Sequence, residues 1–476
     1  MCEGIADELQ GIDLGDQRLN RRSVKVIEAL AADPEASVNG AVNGWTDTQA
    51  AYRFFNNPAV TPEQILRPHL QATVRRMHQH AVVLVLQDTT EVDYTAHPPQ
   101  DAGRLDRAER RGWYQHVELA VTPERLPLGV VATESFDRDP DEPSARQSGV
   151  RRTGEPIEDK ETFRWLKSYR HACELAAQCP ATHIVSVADR EADIYDIFIE
   201  AQSRAEADEA ELPRRADYII RAKQDRCTPE RDPAARGQTF RKVRDEIAAA
   251  PLLTTITIEL SQTPKRAARP ATLAVRAMTI TVKPPHARST LPAITHRVVL
   301  VEEVGGPGDG TDVSWLLLTT LPIDTIEQVL QVIDYYVARW SIETYFRTLK
   351  TGCQVEELQL ETKSRLLNCL AFYQIIAWRI VYLTHLNRTC PDLPCTAVFA
   401  DHEWKPVWRV VTKTPLPKTT PTLNEFLKLL THLGGYNNRA AEPPPGPQPF
   451  WIGLRRMLDF STAWLAFGPE TAESCV

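Results

Sequence analysis

Two strongly apolar runs, each ending on an aspartate, stand out in the first half of the chain. Residues 81–88 read AVVLVLQD and residues 183–189 read HIVSVAD. Continuous β-branched and aliphatic runs of this length predict buried strands, here with a carboxylate at the carboxyl end of each. Other segments have strand or helix periodicity: strands at 113–121, 128–136 and 218–221, and helices at 160–177 and 194–202. This order predicts an α/β fold in which a mixed sheet has helices on its faces.

The stretch from about 222 to 320 departs from that order and predicts a β-rich insertion. Its strand-like runs are separated by Pro and Gly clusters and lie at 254–260, 272–282, 296–304 and 313–320. From Leu260 to Val301 the segment contains no acidic residue but seven basic ones, among them Lys265 and Arg269. Two interpretations carry equal weight: a solvated surface, and a face that follows DNA phosphates.

Helical periodicity dominates both ends of the chain. Near the start, Arg18, Arg21, Arg22 and Lys25 have the spacing of one helical face, although most such basic stripes are only solvated surface. In the second half, helices are predicted at 326–350, 364–386, 423–433 and 452–467, and a linker or loop layer at 389–422.

Composition and charge narrow the classes of protein. With 476 residues, 42% apolar and 25% charged, the chain is long enough for two or three domains with a large core. No apolar run approaches the roughly 18 to 20 residues of a membrane helix, and the acidic start does not resemble a secretory signal, so a cytoplasmic protein without a membrane partner is expected. The nine cysteines include no CxxC pair, which argues against a disulfide framework or a zinc ribbon. The net charge of −8 disfavours nucleic-acid binding unless basic residues are concentrated locally.

The sharpest chemical signal lies in the long helix predicted after the insertion. One narrow arc of this helix, at about 100° per residue, contains a phenol, a carboxylate and three cations: Tyr336, Glu343, Arg339, Arg347 and Lys350. One interpretation is a solvent face with salt bridges between residues four apart. The other is a site to which the carboxylate contributes, with the cations facing phosphates.

The two acids at the strand ends favour the second interpretation. Asp88 and Asp189 would be neighbours if their strands lie side by side, and Glu343 would complete a site of three carboxylates. Such a cluster is costly without a counter-charge, and oxygen ligands without His or Cys fit Mg²⁺ or Mn²⁺ better than zinc. Two such ions about 3.5 to 4 Å apart are a standard arrangement for in-line attack at a phosphodiester. The pattern therefore predicts two Mg²⁺ ions, for which Mn²⁺ can substitute, and nucleotidyl transfer.

Four motifs together resemble a known family. They are a Y-x2-R-x3-E-x6-K pattern that starts at Tyr336, LQDTT around Asp88, ADREADIYD around Asp189 and WTDTQAAYRFFNNP at 45–58. In order and spacing, over nearly the whole chain, they are similar to the bacterial insertion-sequence-four family of DDE cut-and-paste transposases. The resemblance implies an RNase H-like core that carries the β-rich insertion, and it assigns the catalytic, metal-binding triad to Asp88, Asp189 and Glu343.

The family also implies contacts with the DNA backbone. Its signature residues, here Tyr336, Arg339 and Lys350, would hold the transposon-end phosphates and a distorted strand terminus. Arg221 and Lys223, after the fifth predicted strand, match basic DNA contacts in relatives.

Two tryptophans and the N-terminal cations complete the implied DNA interface. Trp315 and Trp340 match positions at which relatives hold a base flipped out of the DNA end, and ordinary core packing is the competing explanation for each. The N-terminal region should recognise the end sequence, for which it offers only the basic face with Arg18, Arg21 and Arg22.

The resulting hypothesis is a DNA transposase that nicks the element end, forms and reopens a hairpin, and joins the freed 3′-hydroxyl to target DNA. Its partners would be double-stranded transposon-end DNA, target DNA and a second copy in a synaptic complex, at the nucleoid of a bacterial cytoplasm. The predicted domains are a helical DNA-end-binding domain at 1–65, the RNase H-like catalytic domain at 66–365 and a helical dimerisation domain at 366–476.

Three alternatives remain at this point. An RNase H-like nuclease or resolvase would use the same acids, but it would give no joined product from a pre-cut end. A DNA-binding protein without catalysis is disfavoured by the intact acids. A carbohydrate-active enzyme with two carboxylates would need neither divalent metal nor the basic stripe.

Overall fold

The computed structural model describes residues 4–42, 44–107, 109–137, 156–206, 215–231, 240–260, 262, 266–437, 439 and 445–468. The helices are α1 (Gln17–Ala32), α2 (Val38–Ala41), α3 (Trp45–Phe55), α4 (Pro62–Met77), α5 (Phe163–Gln178), α6 (Tyr195–Glu206), α7 (Val243–Ala248), α8 (Ile326–Ala338), α9 (Trp340–Arg347), α10 (Lys363–Thr389), α11 (Asp401–Thr412), α12 (Leu423–Leu433) and α13 (Pro447–Phe467). The strands are β1 (Val82–Asp93), β2 (Gly103–Arg104), β3 (Arg111–Val121), β4 (Pro127–Phe136), β5 (His183–Ala188), β6 (Asp217–Arg221), β7 (Cys227–Arg231), β8 (Phe240–Lys242), β9 (Thr254–Leu260), β10 (Arg269–Val282), β11 (Ile294–Glu303) and β12 (Ser314–Thr319).

Two compact units divide the chain, and each is built from separate segments. The first unit comprises residues 1–76, 89–144 and 341–476, and the second comprises residues 77–88 and 145–340. Strand β1 therefore belongs to the second unit up to Asp88 and to the first unit from Thr89 onwards. The three functional domains expected from the sequence stay a prediction.

A mixed sheet forms the centre of the second unit. Its strand order is β1, β5, β6, β12, β11, β10 and β9; the first three strands are parallel and the later neighbours are antiparallel. Helices α5 and α8 pack against the parallel strands. Side chains 83–86 of β1 are consequently fully buried, as a continuous apolar run requires. The predicted α/β class with a mixed sheet is confirmed, and the strands of the predicted insertion extend that same sheet through the β6–β12 pair.

Several cations of the acid-poor segment have partners within the second unit. Arg269 Nη2 lies 3.1 Å from a carboxylate oxygen of Glu303, and the Arg288 guanidinium donates to both oxygens of Asp196 at 2.6 and 2.8 Å. Arg276 donates to the backbone carbonyl of Ala250 at 3.2 Å, and Arg297 donates to that of Thr320 at 2.6 Å. The ammonium group of Lys283 lies 3.2 Å from the centroid of the Phe240 ring. Lys265 lies outside the described residues. These contacts favour a structural use of the basic run over a phosphate-tracking one.

Helix α10 is the central helix of the first unit. By length and composition it would pass for a membrane span, but 83% of its most apolar window is buried within the protein, which is the placement of a core helix. Helix α3 packs on it through Phe54 and Phe372, whose ring centroids are 5.9 Å apart. The amide group of Asn368 donates to the backbone carbonyls of Phe55 and Val60 at 3.1 and 2.9 Å. The N-terminal helices are thus anchored on the core of this unit.

The helix predicted at 326–350 is interrupted, so that prediction is wrong in part. Helix α8 ends at Ala338, α9 begins at Trp340, and a π-helical turn follows at Thr348–Gly352. Arg339, between the two helices, keeps helical dihedrals (φ −52°, ψ −32°). Because the break changes the backbone so little, apolar periodicity does not reveal it.

The linker predicted at 389–422 contains a helix, α11, and is also wrong in part. Trp404 and Val407 are buried on this helix. Pro406 lies inside it, and a proline in a helical pattern normally predicts a helix end. Burial of the apolar face outweighs that cost here.

Candidate active site

Asp88 and Asp189 lie next to one another on neighbouring strands of the second unit. Strands β1 and β5 are parallel, and their last registered pair is Gln87 with Ala188. Asp88 is the next residue of β1, Asp189 directly follows the end of β5, and both are half-buried. Adjacent strands lie about 4.7 to 4.9 Å apart, so the two carboxyl groups emerge at the same edge of the paired strands. The predicted adjacency of the two strands is confirmed.

Each of these carboxylates has a defined partner. Asp189 caps the helical turn Arg190–Ala192, and its Oδ1 accepts the backbone N–H of Glu191 at 2.8 Å. Asp88 Oδ2 accepts from Arg339 Nη1 at 2.8 Å, and Arg339 is only 7% exposed. A buried guanidinium therefore supplies a counter-charge to one of the two acids.

The predicted aromatic residues form one cluster in the second unit. Trp315 on β12 and Tyr336 on α8 are buried, with ring centroids 5.5 Å apart in an edge-to-face arrangement. Trp340 packs edge to face on Trp315 at 6.3 Å and is 41% exposed. Trp315 and Tyr336 thus have a packing role, whereas Trp340 presents part of its ring at the surface.

Arg221 and Lys223 stand at the end of β6, beside that cluster. Arg221 Nη2 donates to the carbonyl of Ser314 at 2.9 Å. Burial lowers the pKa of Arg221, and the neighbouring Tyr336 phenol opposes that shift. Lys223 is exposed on the turn that follows the strand. The second unit therefore brings together Asp88, Asp189, Arg221, Lys223, Trp315, Tyr336, Arg339 and Trp340.

The remaining residues of the predicted stripe belong to the first unit. Glu343 and Arg347 are exposed on α9. Lys350 lies in the π-helical turn, where its Nζ contacts Glu356 Oε1 at 2.9 Å and donates to the carbonyl of Glu91 at 3.1 Å. Glu356 also accepts the backbone N–H of Asp93 at 2.8 Å, so Lys350 is held against the second half of β1. Since Tyr336 and Arg339 are buried, the stripe is not the uniform solvent face that a straight helix would present.

The candidate ligands are compatible with a divalent metal ion. Asp88 and Asp189 offer hard oxygen donors, which suit Mg²⁺ or Mn²⁺ better than zinc. In this structure the positive charge beside Asp88 is the Arg339 guanidinium. In the part of the chain that the structure describes, no three His, Cys, Asp or Glu side chains are grouped so that they could hold a metal ion.

The N-terminal cations lie on α1, as predicted. Arg18 pairs with Asp16 at 2.8 Å, and Asp16 also caps the helix. Arg22 pairs with Asp47 of α3 at 2.8 Å, whereas Arg21 is exposed. One of the three cations therefore ties two N-terminal helices together.

Two acids that hold the segments with Lys223 and Lys350 in place were not predicted. Asp193 is fully buried at its side chain and bonds to the turn that carries Lys223. Glu356 pairs with Lys350. Asp193 stands in the quoted ADREADIYD motif, so the sequence offered a signal for it. Glu356 meets Lys350 only through an irregular turn, and no periodic pattern predicts that contact.

Three family models match successive parts of the chain. A transposase DNA-binding model matches residues 1–60, a transposase DDE domain matches residues 170–378, and a transposase Tn5 dimerisation domain matches residues 375–465. The DDE domain includes Asp189 and Glu343, and it implies an RNase H-like core.

One solved structure is similar over much of its length. It is a cryo-EM structure of the piggyBac transposase synaptic complex with hairpin DNA, at 11% identity, covering 98% of this chain and 83% of that one. The TM-score is 0.35, which is too low to support a conclusion.

Proposed function

This chain is a DNA transposase with DNA-binding, DDE and dimerisation domains, and we propose that it carries out cut-and-paste transposition through Asp88, Asp189 and Glu343. The observation that carries the proposal is the side-by-side placement of Asp88 and Asp189 where β1 and β5 stop pairing. The proposed steps are nicking of the element end, hairpin formation, hairpin opening and joining of the 3′-hydroxyl to target DNA. Each is an in-line phosphoryl transfer, which suits a single carboxylate site.

A DDE domain depends on a divalent metal ion. We propose Mg²⁺, with Mn²⁺ as a substitute, held by Asp88, Asp189 and Glu343. When bound, such an ion supplies Lewis-acid stabilisation of charge at the reacting oxygens. The protein's own part would be to supply the three carboxylates. Arg339, which now bonds Asp88, stands within reach to contact a DNA phosphate instead.

The aromatic cluster is proposed to receive a base extruded from the DNA end. Trp340 is 41% exposed and packs on the buried Trp315, which in turn packs on Tyr336, so Trp340 is the member of the cluster that DNA can reach. Stacking of a base on an aromatic ring is worth roughly 1 to 3 kcal/mol. Phosphates beside the extruded base would be contacted by Arg221, Lys223, Arg339, Arg347 and Lys350.

The wider assembly is proposed to be a synaptic complex of two copies with two element ends. Arg18, Arg21 and Arg22 of α1 would contact end DNA from the matched DNA-binding region. Membership of the insertion-sequence-four family, with the Tn5 transposase as a relative, is supported by the quoted motifs together with the matched dimerisation domain. The proposed location is the nucleoid of a bacterial cytoplasm, where both DNA partners would be available.

Strand transfer with a pre-cut end tests the proposal. DNA from the ends of the encoding element is supplied with supercoiled target and Mg²⁺, and wild type is compared with Glu343→Gln. We expect joined product from wild type, none from Glu343→Gln, and end binding retained by both, since the substitution removes a ligand charge and no bulk. The matched control is Glu357→Gln, an exposed glutamate in the same unit, which should join normally. Cutting without joining by wild type would favour a nuclease, and full activity of Glu343→Gln would remove that residue from the site.

A further inference from the structure

The side chain of Asp193 is fully buried and serves the backbone of a turn. Asp193 Oδ2 accepts the backbone N–H groups of both Lys223 and Gln224 at 2.8 Å. Its Oδ1 forms an ion pair with Arg226, and Arg226 Nη2 also donates to the Asp193 carbonyl at 3.0 Å. One carboxylate thus satisfies three donors from residues 223–226.

This contact joins the two turns that carry the candidate chemistry of the second unit. Asp193 ends the helical turn that Asp189 caps, directly after β5. The turn with Lys223 follows β6, the parallel neighbour of β5, with Ala188 opposite Ile220. Both turns therefore leave the same edge of the sheet. A carboxylate that binds the amides of the second turn fixes its position relative to the first.

Arg226 makes the connection rigid. Its guanidinium lies over the rings of Tyr195 and Phe198, at 5.7 and 5.4 Å from their centroids. Its backbone carbonyl accepts the N–H of Val243 at 3.0 Å. Removal of the Asp193 carboxylate would leave the buried Arg226 guanidinium without its counter-charge and two part-buried amides without their acceptor, so the turn would have to rearrange.

We propose that Asp193 is a positioning residue for DNA binding, which acts by presenting Lys223 to a phosphate of the DNA backbone. It does not touch DNA itself. The inference rests on the proposed DNA contact of Lys223, whose own N–H is one of the bonded amides and whose side chain is exposed. A charge-assisted bond to each end of a short turn restricts the directions that the lysine side chain can take.

A double-mutant cycle in the full chain tests the proposal. The probe is a fluorescent random-sequence DNA duplex, because phosphate contacts do not depend on sequence, and affinity is measured by anisotropy over a range of salt concentrations. Lys223→Ala should lower the slope of log K against log salt by about 1. Asp193→Ala should lower it by the same amount in wild type and should have no further effect in the Lys223→Ala chain. Asp193→Ala should lower the melting temperature by the same amount in wild type and in Lys223→Ala, because the bonds of the Asp193 carboxylate are lost in both.

The control and the opposing outcomes separate positioning from stability. The control is a second double-mutant cycle that combines Asp193→Ala with Arg231→Ala, at an exposed cation on β7. In that cycle the effects of the two substitutions on the salt slope should add. The inference would be overturned if the effects of Asp193→Ala and Lys223→Ala on the salt slope add, or if Lys223→Ala has no effect. Neither result would count against duplex binding or transposase activity. Loss of duplex binding by wild type would instead remove the proposed DNA contact. If Asp193→Ala does not fold, Asp193→Asn is used instead. It must likewise change the slope of log K against log salt in wild type and leave it unchanged in the Lys223→Ala chain.

Discussion

At the scale of single residues, the acids were predictable and their partners were not. Asp88 and Asp189 end apolar runs, and a parallel pairing of those runs puts them side by side. Arg339 pairs with Asp88 across 251 positions of sequence. Helical spacing describes neighbours within about four residues, so it indicates that Arg339 lies near Glu343 but gives no sign of Asp88.

The exposed ring of Trp340 gives the cleanest residue-scale prediction. Trp340→Ala should slow hairpin formation by roughly 5- to 150-fold, which corresponds to about 1 to 3 kcal/mol of lost stacking, and should leave the first nick unchanged. 2-Aminopurine at the terminal base measures the extrusion directly. Trp315→Ala is a poorer probe, because truncation of a buried tryptophan typically costs about 3 to 5 kcal/mol of stability. Trp408→Ala, in α11, is the control, and an equal loss in that variant would argue against a specific base site.

At the scale of elements, burial decided which predictions succeeded. Strand β9 has the bounds expected from its alternation, and the buried β5 is only one residue shorter than its apolar run predicted. The break between α8 and α9 escaped prediction because Arg339 stays helical. Helix α11 escaped because a proline lies inside it. Local periodicity therefore locates an element but does not report where one helix ends and the next begins when the residue between them stays helical.

A buried cluster in the first unit ties the first helical turn to α4. Arg76 Nη1 donates to Glu8 at 2.9 Å, His69 Nδ1 contacts the same carboxylate, and His69 Nε2 accepts the N–H of Val130 at 3.1 Å. The ring of His69 is therefore neutral, with its proton on Nδ1. Burial opposes ionisation of Glu8, but His69 and Arg76 outweigh it and hold the pKa of Glu8 well below its ordinary value. Burial also lowers the pKa of His69.

Acid should consequently destabilise this unit in two stages. The unfolded chain takes up a proton on His69 below about pH 6.5 and on Glu8 below about pH 4.3, whereas the folded chain resists both. Because the unfolded state then binds more protons, the free energy of unfolding falls as the pH falls through each window. Urea unfolding as a function of pH measures this. His69→Gln should reduce the upper stage but not abolish it, because burial also lowers the pKa of His385 in this unit to about 4. His432→Gln, at an exposed position of α12, should keep the wild-type curve. An unchanged upper stage in His69→Gln would show that this histidine does not titrate on unfolding.

At the scale of the whole molecule, a net charge of −8 has to coexist with DNA binding. Three of the proposed DNA contacts are paired with acids, Arg22 with Asp47, Arg339 with Asp88 and Lys350 with Glu356, so a DNA phosphate would have to compete with those carboxylates. The fold class was predictable from the order of strands and helices. The two compact units were not, because each gathers segments that are far apart in sequence, and no local composition marks the passages after Asp88 and before Ser341.

Self-association should depend on the carboxyl end of α13. Leu465 and Phe467 are 57% and 89% exposed there, and the matched dimerisation domain extends to residue 465. Exposed apolar side chains at the end of a matched dimerisation domain are candidate contacts with a second copy. Leu465→Lys with Phe467→Lys should weaken dimerisation at least tenfold in sedimentation equilibrium, a change of about 1.4 kcal/mol, without lowering the melting temperature. Val410→Lys, at an exposed position of α11, is the control, and an unchanged dimer in the double variant would place the interface elsewhere.

The most direct test of the central claim is iron-directed cleavage of the polypeptide itself. Fe²⁺ replaces Mg²⁺ in the complex with end DNA, ascorbate and peroxide generate radicals at the bound ion, and the fragments are mapped by mass spectrometry. If Asp88, Asp189 and Glu343 hold one metal centre, the chain should be cut near all three positions, and excess Mg²⁺ should suppress all three cuts together. Cuts near 88 and 189 with none near 343, or cuts that Mg²⁺ does not suppress, would contradict the account.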